Sequence, residues 1–232
     1  MDSTLPRKRK FGLMTLRRLE NPLVIAVIIL LAAGRWDYWQ GWLFISLTIL
    51  VTGVNFFVMR KSKDLTAERK NPGRGIKKWD KLLLGLNPLL YFGTLILCGL
   101  DAGRFGWSLQ FKMFVYILGG ILFLLGQATW LWAIRTNRFF SSVVRIQEDR
   151  NQNVCQEGPY KVIRHPGYFG RLIFTLATPI LLGSLWGLII SGITVILLIV
   201  RTKLEDDLLK HQLPGYAKYI EKVKYRLVPG VW

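Results

Sequence analysis

Six long apolar runs constrain the fold of this chain more than any other feature, and they lie at residues 22–34, 41–59, 82–100, 112–134, 168–183 and 185–200. A helix that spans a bilayer needs about 20 predominantly apolar residues, because lipid offers no hydrogen-bonding partner to the backbone. The composition agrees, with 51% hydrophobic residues and a mean hydropathy of +0.30. The runs predict an all-α, polytopic integral membrane bundle of about six segments, in which the first and the last two are short.

The last two runs form a predicted helical hairpin that turns at Gly183 and Ser184. Beyond it, residues 201–209 continue as an amphipathic helix, and Arg201 and Glu205 share one face because they are four residues apart. Between residues 143 and 156 the apolar pattern has no helical period, which predicts an irregular connection.

The formal charge of +18 is distributed unevenly along the chain. All but three of the 32 Lys and Arg residues lie in the N-terminal arm, the loop after the second run, the 135–171 region or the tail; the exceptions are Arg35, Arg104 and Lys112. The positive-inside rule therefore predicts that both termini and the large loops are cytosolic, in a bacterial inner membrane or the endoplasmic reticulum. This distribution favours membrane lipids over nucleic acid as the partner of the charge.

The chain divides into two regions by content. Residues 1–136 hold the N-terminal transmembrane helices and a cytosolic loop, and residues 137–232 hold the apolar hairpin and the amphipathic helix. The two cysteines and two histidines lack the spacing of a metal-ligand set, so no metal site is predicted.

The segment from Gly158 to Gly170 carries most of the chemical information. Its two prolines fix backbone torsions, its three glycines permit close backbone approach, and Arg164, His165 and two tyrosines supply donors and rings. The residue before a proline is held extended, which suits a His165 ring placed against a ligand. We interpret the segment as a ligand site at the cytosolic membrane face; the alternative is a well-packed membrane turn.

Arg201 lies where the last apolar run meets water. It can recognise a carboxylate or phosphate through bidentate bonds, with Glu205 accepting bonds from a cofactor hydroxyl or amine. Alternatively, Arg201 snorkels to the surface and forms an ordinary ion pair with Glu205.

Three ordered motifs resemble the isoprenylcysteine carboxyl methyltransferase family and the related phospholipid methyltransferases: residues 164–170, residues 201–206, and Tyr216 and Tyr219 with residues 226–232. The resemblance covers residues 137–232. It implies S-adenosyl-L-methionine as the cofactor, bound on the cytosolic side beneath a lid, and a lipophilic or prenylated acceptor that enters from the bilayer. It assigns Arg201 and Glu205 to catalysis, with Arg201 holding the acceptor carboxylate and Glu205 closing the cofactor site. The other implied cofactor-binding residues are Gln147, Gln152, Asn153, Val154, Cys155, Tyr160, His165, Pro166, Gly167 and Tyr168.

The chain departs from the family at two places. It has Glu205–Asp206 where two adjacent glutamates are frequent, and Gln152–Asn153 where eukaryotic members usually have a histidine-containing stretch. The leading hypothesis is carboxyl O-methylation of an isoprenylcysteine-like substrate. The alternatives are phospholipid N-methylation, an NADPH-dependent reduction of the sterol type, and a lipid-binding protein without catalysis.

Overall fold

The computed structural model of the protein describes residues 21–60 and 62–232, so the basic N-terminal arm and Lys61 lie outside the described residues. All regular secondary structure in the described ranges is helical. Residues 21–60 and 62–232 contain eight α-helices in order: α1 Pro22–Ala33, α2 Trp39–Arg60, α3 Lys63–Lys70, α4 Lys78–Cys98, α5 Met113–Thr136, α6 Pro166–Leu182, α7 Leu185–Gln212 and α8 Tyr216–Lys222. A π-helical segment, Gly99–Phe105, continues α4, and two 3-10 turns occupy Glu148–Arg150 and Gly158–Lys161.

Among the described residues, four helices are long and apolar enough to cross a membrane, namely α2, α4 with its π-helical continuation, α5 and α7. The runs at 22–34 and 168–183 form shorter apolar helices of 12 and 17 residues. Both end at a glycine in the left-handed conformation, Gly34 and Gly183, which stops the helix before it reaches full spanning length. Within the described ranges the structure is all-helical, and its four long apolar helices agree with the predicted integral membrane protein.

The predicted hairpin between α6 and α7 is confirmed. Gly183 has φ +77°, and the Ser184 side chain caps α7 by accepting a bond from the backbone N–H of Gly187 at 2.9 Å. The Ser184 hydroxyl also donates to Asp101 at 2.6 Å, and Asp101 accepts the backbone N–H of Ser108 at 2.7 Å. These bonds tie the π-helical end of α4 to the α6–α7 turn.

Close backbone approach between α5 and α6 depends on glycine. A Cβ on Gly170 would lie 2.5 Å from the carbonyl oxygen of Gly126, and a Cβ on Gly167 would lie 2.4 Å from the Phe140 ring. Only glycine fits at these positions without a shift of the backbone or ring. The predicted role of the motif glycines in close approach is therefore confirmed at both sites.

At the opposite end of the bundle, residues 137–165 and 203–232 form a polar layer, here called the C-terminal cap. Residues 143–156 are irregular apart from one 3-10 turn, as predicted. The cap has an apolar cluster of its own, formed by Leu213, Tyr216, Tyr219 and Val223. The predicted amphipathic helix exists as the last part of α7, so that α7 passes without a break from the bundle into the cap.

Candidate active site

A cavity of about 1310 Å³ extends from the C-terminal cap into the bundle. Its cap end is polar, and its bundle end lies between α2, α4, α5 and α6, with apolar walls that include Phe44, Val51, Phe92, Phe123 and Phe174. Ligand pockets usually measure about 300–1,000 Å³. The cavity therefore has room for a nucleotide-sized molecule and part of a lipophilic one.

Eleven of the twelve predicted site residues line this cavity: Gln147, Gln152, Asn153, Val154, Cys155, Tyr160, His165, Gly167, Tyr168, Arg201 and Glu205. The twelfth, Pro166, is buried at the first position of α6, where its ring starts the helix. Pro166 therefore positions Gly167 and Tyr168. Three separate segments of the sequence thus converge on one space.

Arg201 is 5% exposed and pairs with Asp80 of α4. Its Nε donates to Asp80 Oδ1 at 2.7 Å, and its Nη2 donates to the Ser142 carbonyl at 3.2 Å. The second Asp80 oxygen accepts the backbone N–H of Val144 at 2.7 Å. The alternative interpretation of Arg201 is wrong, because the side chain does not reach the surface and its ion-pair partner within the described ranges is Asp80, not Glu205.

Tyr168 connects the other predicted groups. Its hydroxyl donates to Glu205 Oε2, and its ring stacks on the His165 ring with centroids 5.8 Å apart. The Arg201 guanidinium lies 5.3 Å from the centroid of the same ring. Burial of these groups strengthens the electrostatic attraction between them.

Asp206 turns away from Glu205 and organises the C-terminal cap. This fully buried carboxylate accepts bonds from Arg164 Nε, Arg226 Nε and the Tyr216 hydroxyl, each at 2.8 Å, and His165 Nε2 lies 3.1 Å away. Burial and the neighbouring carboxylate raise the pKa of Tyr216, so its hydroxyl stays protonated as a donor. Asp206 thereby fixes the His165 ring at the cavity wall.

The 147–155 segment is held largely by its own side chains. Gln147 is 2% exposed, and its Nε2 donates to the Phe139 carbonyl at 2.7 Å. The Gln152 side-chain oxygen accepts the backbone N–H of Gln147 at 2.7 Å. These two side chains shape the cavity wall through bonds to protein atoms. Next to them, burial raises the pKa of the half-buried Cys155 thiol.

Arg145 joins this segment to α3. Its Nε and Nη2 donate to the two oxygens of Glu68 at 3.0 and 2.8 Å, and its Nη1 donates to Asp149 at 2.6 Å. The hydrogen bond from Arg145 lowers the pKa of Asp149. The loop between α2 and α4 is therefore attached to the cavity wall.

Asp80, Asp206 and Glu68 were not among the residues predicted for the site. Asp80 lies among lysines in the sequence, yet it is fully buried. One signal was available: Asp80 and Glu68 are isolated acids within basic segments of a chain that has 32 basic and 14 acidic residues. Among the described residues, no group of three or more His, Cys, Asp or Glu side chains is placed to hold a metal ion.

The fold and the cavity define a class of integral membrane helical proteins whose ligand site lies where an apolar bundle meets a polar cap. Residues 118–211 match the model of the isoprenylcysteine carboxyl methyltransferase family. The match covers about two fifths of the chain and bears out, over this region, the resemblance predicted from the motifs.

The chain is also similar to individual plant proteins. It is 33% identical over 70 residues to a probable protein-S-isoprenylcysteine O-methyltransferase of Oryza sativa subsp. indica, covering 30% of this chain and 37% of the relative. It is 32% identical over 76 residues to protein-S-isoprenylcysteine O-methyltransferase B of Arabidopsis thaliana, covering 33% of this chain and 36% of the relative. The chain thus spans just over a third of the length of these curated relatives.

Proposed function

We propose that this protein is an S-adenosyl-L-methionine-dependent methyltransferase that esterifies the carboxylate of an isoprenylcysteine-like acceptor. One observation carries the proposal: residues from 147–155, 160–168 and 201–205 line a single cavity that continues between apolar helices. The family match and the names of the plant relatives support the same reaction.

The cap end of the cavity fits the cofactor. The roughly parallel His165 and Tyr168 rings offer a stacking surface, and Ser142 Oγ is buried without a hydrogen-bond partner. Asp80 and Glu205 contribute two carboxylates against the single guanidinium of Arg201, a net charge of −1 that suits a sulfonium cation. The cap end of the cavity therefore has polar and aromatic groups that can bind an adenosyl group, and acidic groups that can bind a sulfonium.

When bound, the cofactor would supply a methyl group from its sulfonium sulfur: the methyl carbon would bond to the acceptor carboxylate oxygen as the carbon–sulfur bond breaks, and the electron pair of that bond would stay on sulfur. The acceptor loses no proton, so the chain needs no strong general base. Its residues serve to align the two reactants and to exclude water. Tyr168 and Glu205 hold one wall of the cap end in place, and by resemblance Arg201 binds the acceptor.

The bundle end of the cavity fits a lipophilic acceptor. Its aromatic walls can contact a prenyl chain that enters from the bilayer. The positive-inside distribution supports a topology in which the C-terminal cap and both termini face the cytosol. In this proposal the shorter apolar helices α1 and α6 add to the four long ones to give six membrane segments. The membrane is then a bacterial inner membrane or the endoplasmic reticulum.

Calorimetry on the purified full chain in detergent tests the cofactor. We expect saturable binding of S-adenosyl-L-methionine and of its demethylated product, with no response to NADPH. Tyr168→Ala removes a cavity wall and should abolish binding, whereas Tyr225→Ala, a partly exposed tyrosine outside the lining, should leave it unchanged. Binding of NADPH alone would favour a reductase, and binding of neither ligand a lipid-binding protein.

A further inference from the structure

Asn55 is a polar residue in the cavity wall of the long apolar helix α2. The cavity lining of α2 follows one helical face with three- and four-residue spacings, and it includes Phe44, Thr48, Val51, Thr52, Asn55 and Met59. Because Asn55 belongs to this face, its side chain is part of the wall that a ligand in the cavity would contact.

The carboxamide oxygen of Asn55 has no donor. Oδ1 is buried and has no hydrogen-bond partner among the described residues. By contrast, Thr48 on the same face donates its hydroxyl to the Phe44 carbonyl of its own helix at 2.8 Å. An acceptor left without a donor in an apolar bundle is costly. Because no bond to a described residue holds the oxygen, and the terminal torsion of asparagine is broad, the amide can turn the oxygen toward a ligand.

Aromatic contacts locate Asn55 relative to the cap end of the cavity. Phe44 of α2 packs on Phe123 of α5 with ring centroids 5.4 Å apart, and Phe123 packs on Phe174 of α6 with centroids 6.4 Å apart. From the level of these three rings, Tyr168 lies about 9 Å toward the cap along α6, and Asn55 about 16 Å toward the cap along α2. Both residues therefore lie on the cap side of the rings, on different helices of the cavity wall.

The acceptor proposed above has one hydrogen-bond donor near its carboxylate. In an N-acylated isoprenylcysteine, the carboxylate, the thioether and the acyl carbonyl are acceptors, and the prenyl chain is apolar. The amide N–H on the α-carbon is the remaining polar group. A prenyl chain that lies among the aromatic rings of the bundle end would leave this N–H on the cap side, where Asn55 lies.

We propose that Asn55 accepts the amide N–H of the acceptor cysteine and thereby selects an acceptor that has a donor beside its carboxylate. The assignment rests on the proposed function and adds a specificity-determining residue to it. The chemistry recognised is an N–H next to anionic oxygens on an amphiphile. The ammonium group of phosphatidylethanolamine shares that chemistry, whereas phosphatidylcholine has no N–H.

A cycle of one protein change and one acceptor change tests this contact on the full chain in nanodiscs. The acceptors are N-acetyl-S-farnesylcysteine and an analogue in which a methylene group replaces the amide N–H. In the wild type, loss of the N–H should lower kcat/KM about tenfold, because the oxygen of Asn55 is left unpaired. In Asn55→Leu, which has no acceptor at this place, the two compounds should differ less than about twofold.

Ser46→Leu is the matched control, because Ser46 is an exposed polar residue of the same helix outside the cavity lining. It should keep the wild-type preference for the N–H compound. Binding of the demethylated cofactor, measured by calorimetry, should change less than about twofold in both variants, which shows that each is folded. Competition by phosphatidylethanolamine, but not by phosphatidylcholine, that is lost in Asn55→Leu would support the N–H site with a phospholipid as the source of the donor.

If loss of the N–H lowers kcat/KM equally in the wild type and in Asn55→Leu, Asn55 does not contact the acceptor and the assignment is wrong. If the wild type binds no demethylated cofactor at all, the proposed function fails first, and the two failures are thus distinguishable.

Discussion

Asp80 and Arg201, 121 positions apart in the chain, form a buried ion pair that joins the start of α4 to α7. Asp80 also fixes the backbone at Val144, just before the segment that lines the cap end of the cavity. The N-terminal region thus completes a site whose recognisable motifs all lie after residue 137. Removing one partner of a buried pair typically costs about 3–5 kcal/mol, because the other charge stays buried without compensation.

Asp80→Asn should therefore lower the free energy of unfolding by about 3 kcal/mol, since a neutral amide leaves Arg201 without its counter-charge. The measurement is denaturant unfolding of the detergent-solubilised protein. Asp37→Asn is the matched control, because Asp37 is exposed and its pair with Arg35 should contribute less than about 1 kcal/mol. Equal stability of the two variants would show that the Asp80 pair is not a structural requirement.

Tyr168→Phe removes the hydroxyl of Tyr168 and keeps the ring, so it tests the contribution of the hydroxyl alone. The phenylalanine ring still contacts His165 and Arg201, but Glu205 loses a buried donor, an effect of about 1–3 kcal/mol. We expect methyl transfer to fall about tenfold or more while binding of the demethylated cofactor survives. Tyr225→Phe should match the wild type. A fully active Tyr168→Phe protein would mean that the bond to Glu205 has no part in catalysis.

Alkylation of Cys155 should report on the cofactor end of the cavity. Burial raises its thiol pKa, so at neutral pH the reactive thiolate is scarcer than in a free cysteine, and the labelling rate should rise with pH until the raised pKa is passed. The demethylated cofactor should slow labelling at every pH, because Cys155 lines the same cavity. Cys155→Ser should remove the signal, since Cys98 is fully buried. If saturating demethylated cofactor does not slow the labelling of Cys155, the cofactor does not bind at this end of the cavity.

Gly170→Ala should separate α5 from α6. The added Cβ would lie 2.5 Å from the Gly126 carbonyl oxygen, and overpacking of this kind costs about 1–3 kcal/mol. Gly192→Ala on α7 is the control, because a Cβ there meets nothing within 4 Å and alanine favours helix by up to about 1 kcal/mol. Thermal unfolding should show opposite shifts for the two changes. A Gly170→Ala protein as stable as Gly192→Ala would contradict the close helix crossing.

The local parts of this fold could be predicted from the sequence because short-range rules decide them. Apolar runs specified the long helices, and Gly183 with Ser184 specified the hairpin turn. The ion-pair partner of Arg201 could not be predicted in this way. It depends on a contact with α4, which comes from a helix arrangement that no sequence spacing encodes.

The shortness of α1 and α6 could be predicted from the same local rules, because their apolar runs are short and Gly34 and Gly183 end the two helices in the left-handed conformation. Asp206 illustrates a second limit. It was noted only as a departure from two adjacent glutamates, and its role became visible once Arg164, Arg226 and Tyr216 met around it.

Transfer of a radiolabelled methyl group from S-adenosyl-L-methionine, with the purified protein in nanodiscs, tests the central claim most directly. An S-farnesylcysteine derivative and phosphatidylethanolamine are offered as competing acceptors. We predict label on the farnesylcysteine derivative that mild alkali releases as methanol, since a methyl ester is hydrolysed under these conditions. Alkali-stable label on phosphatidylethanolamine, or no transfer to either acceptor by a protein that binds the cofactor, would contradict carboxyl methylation.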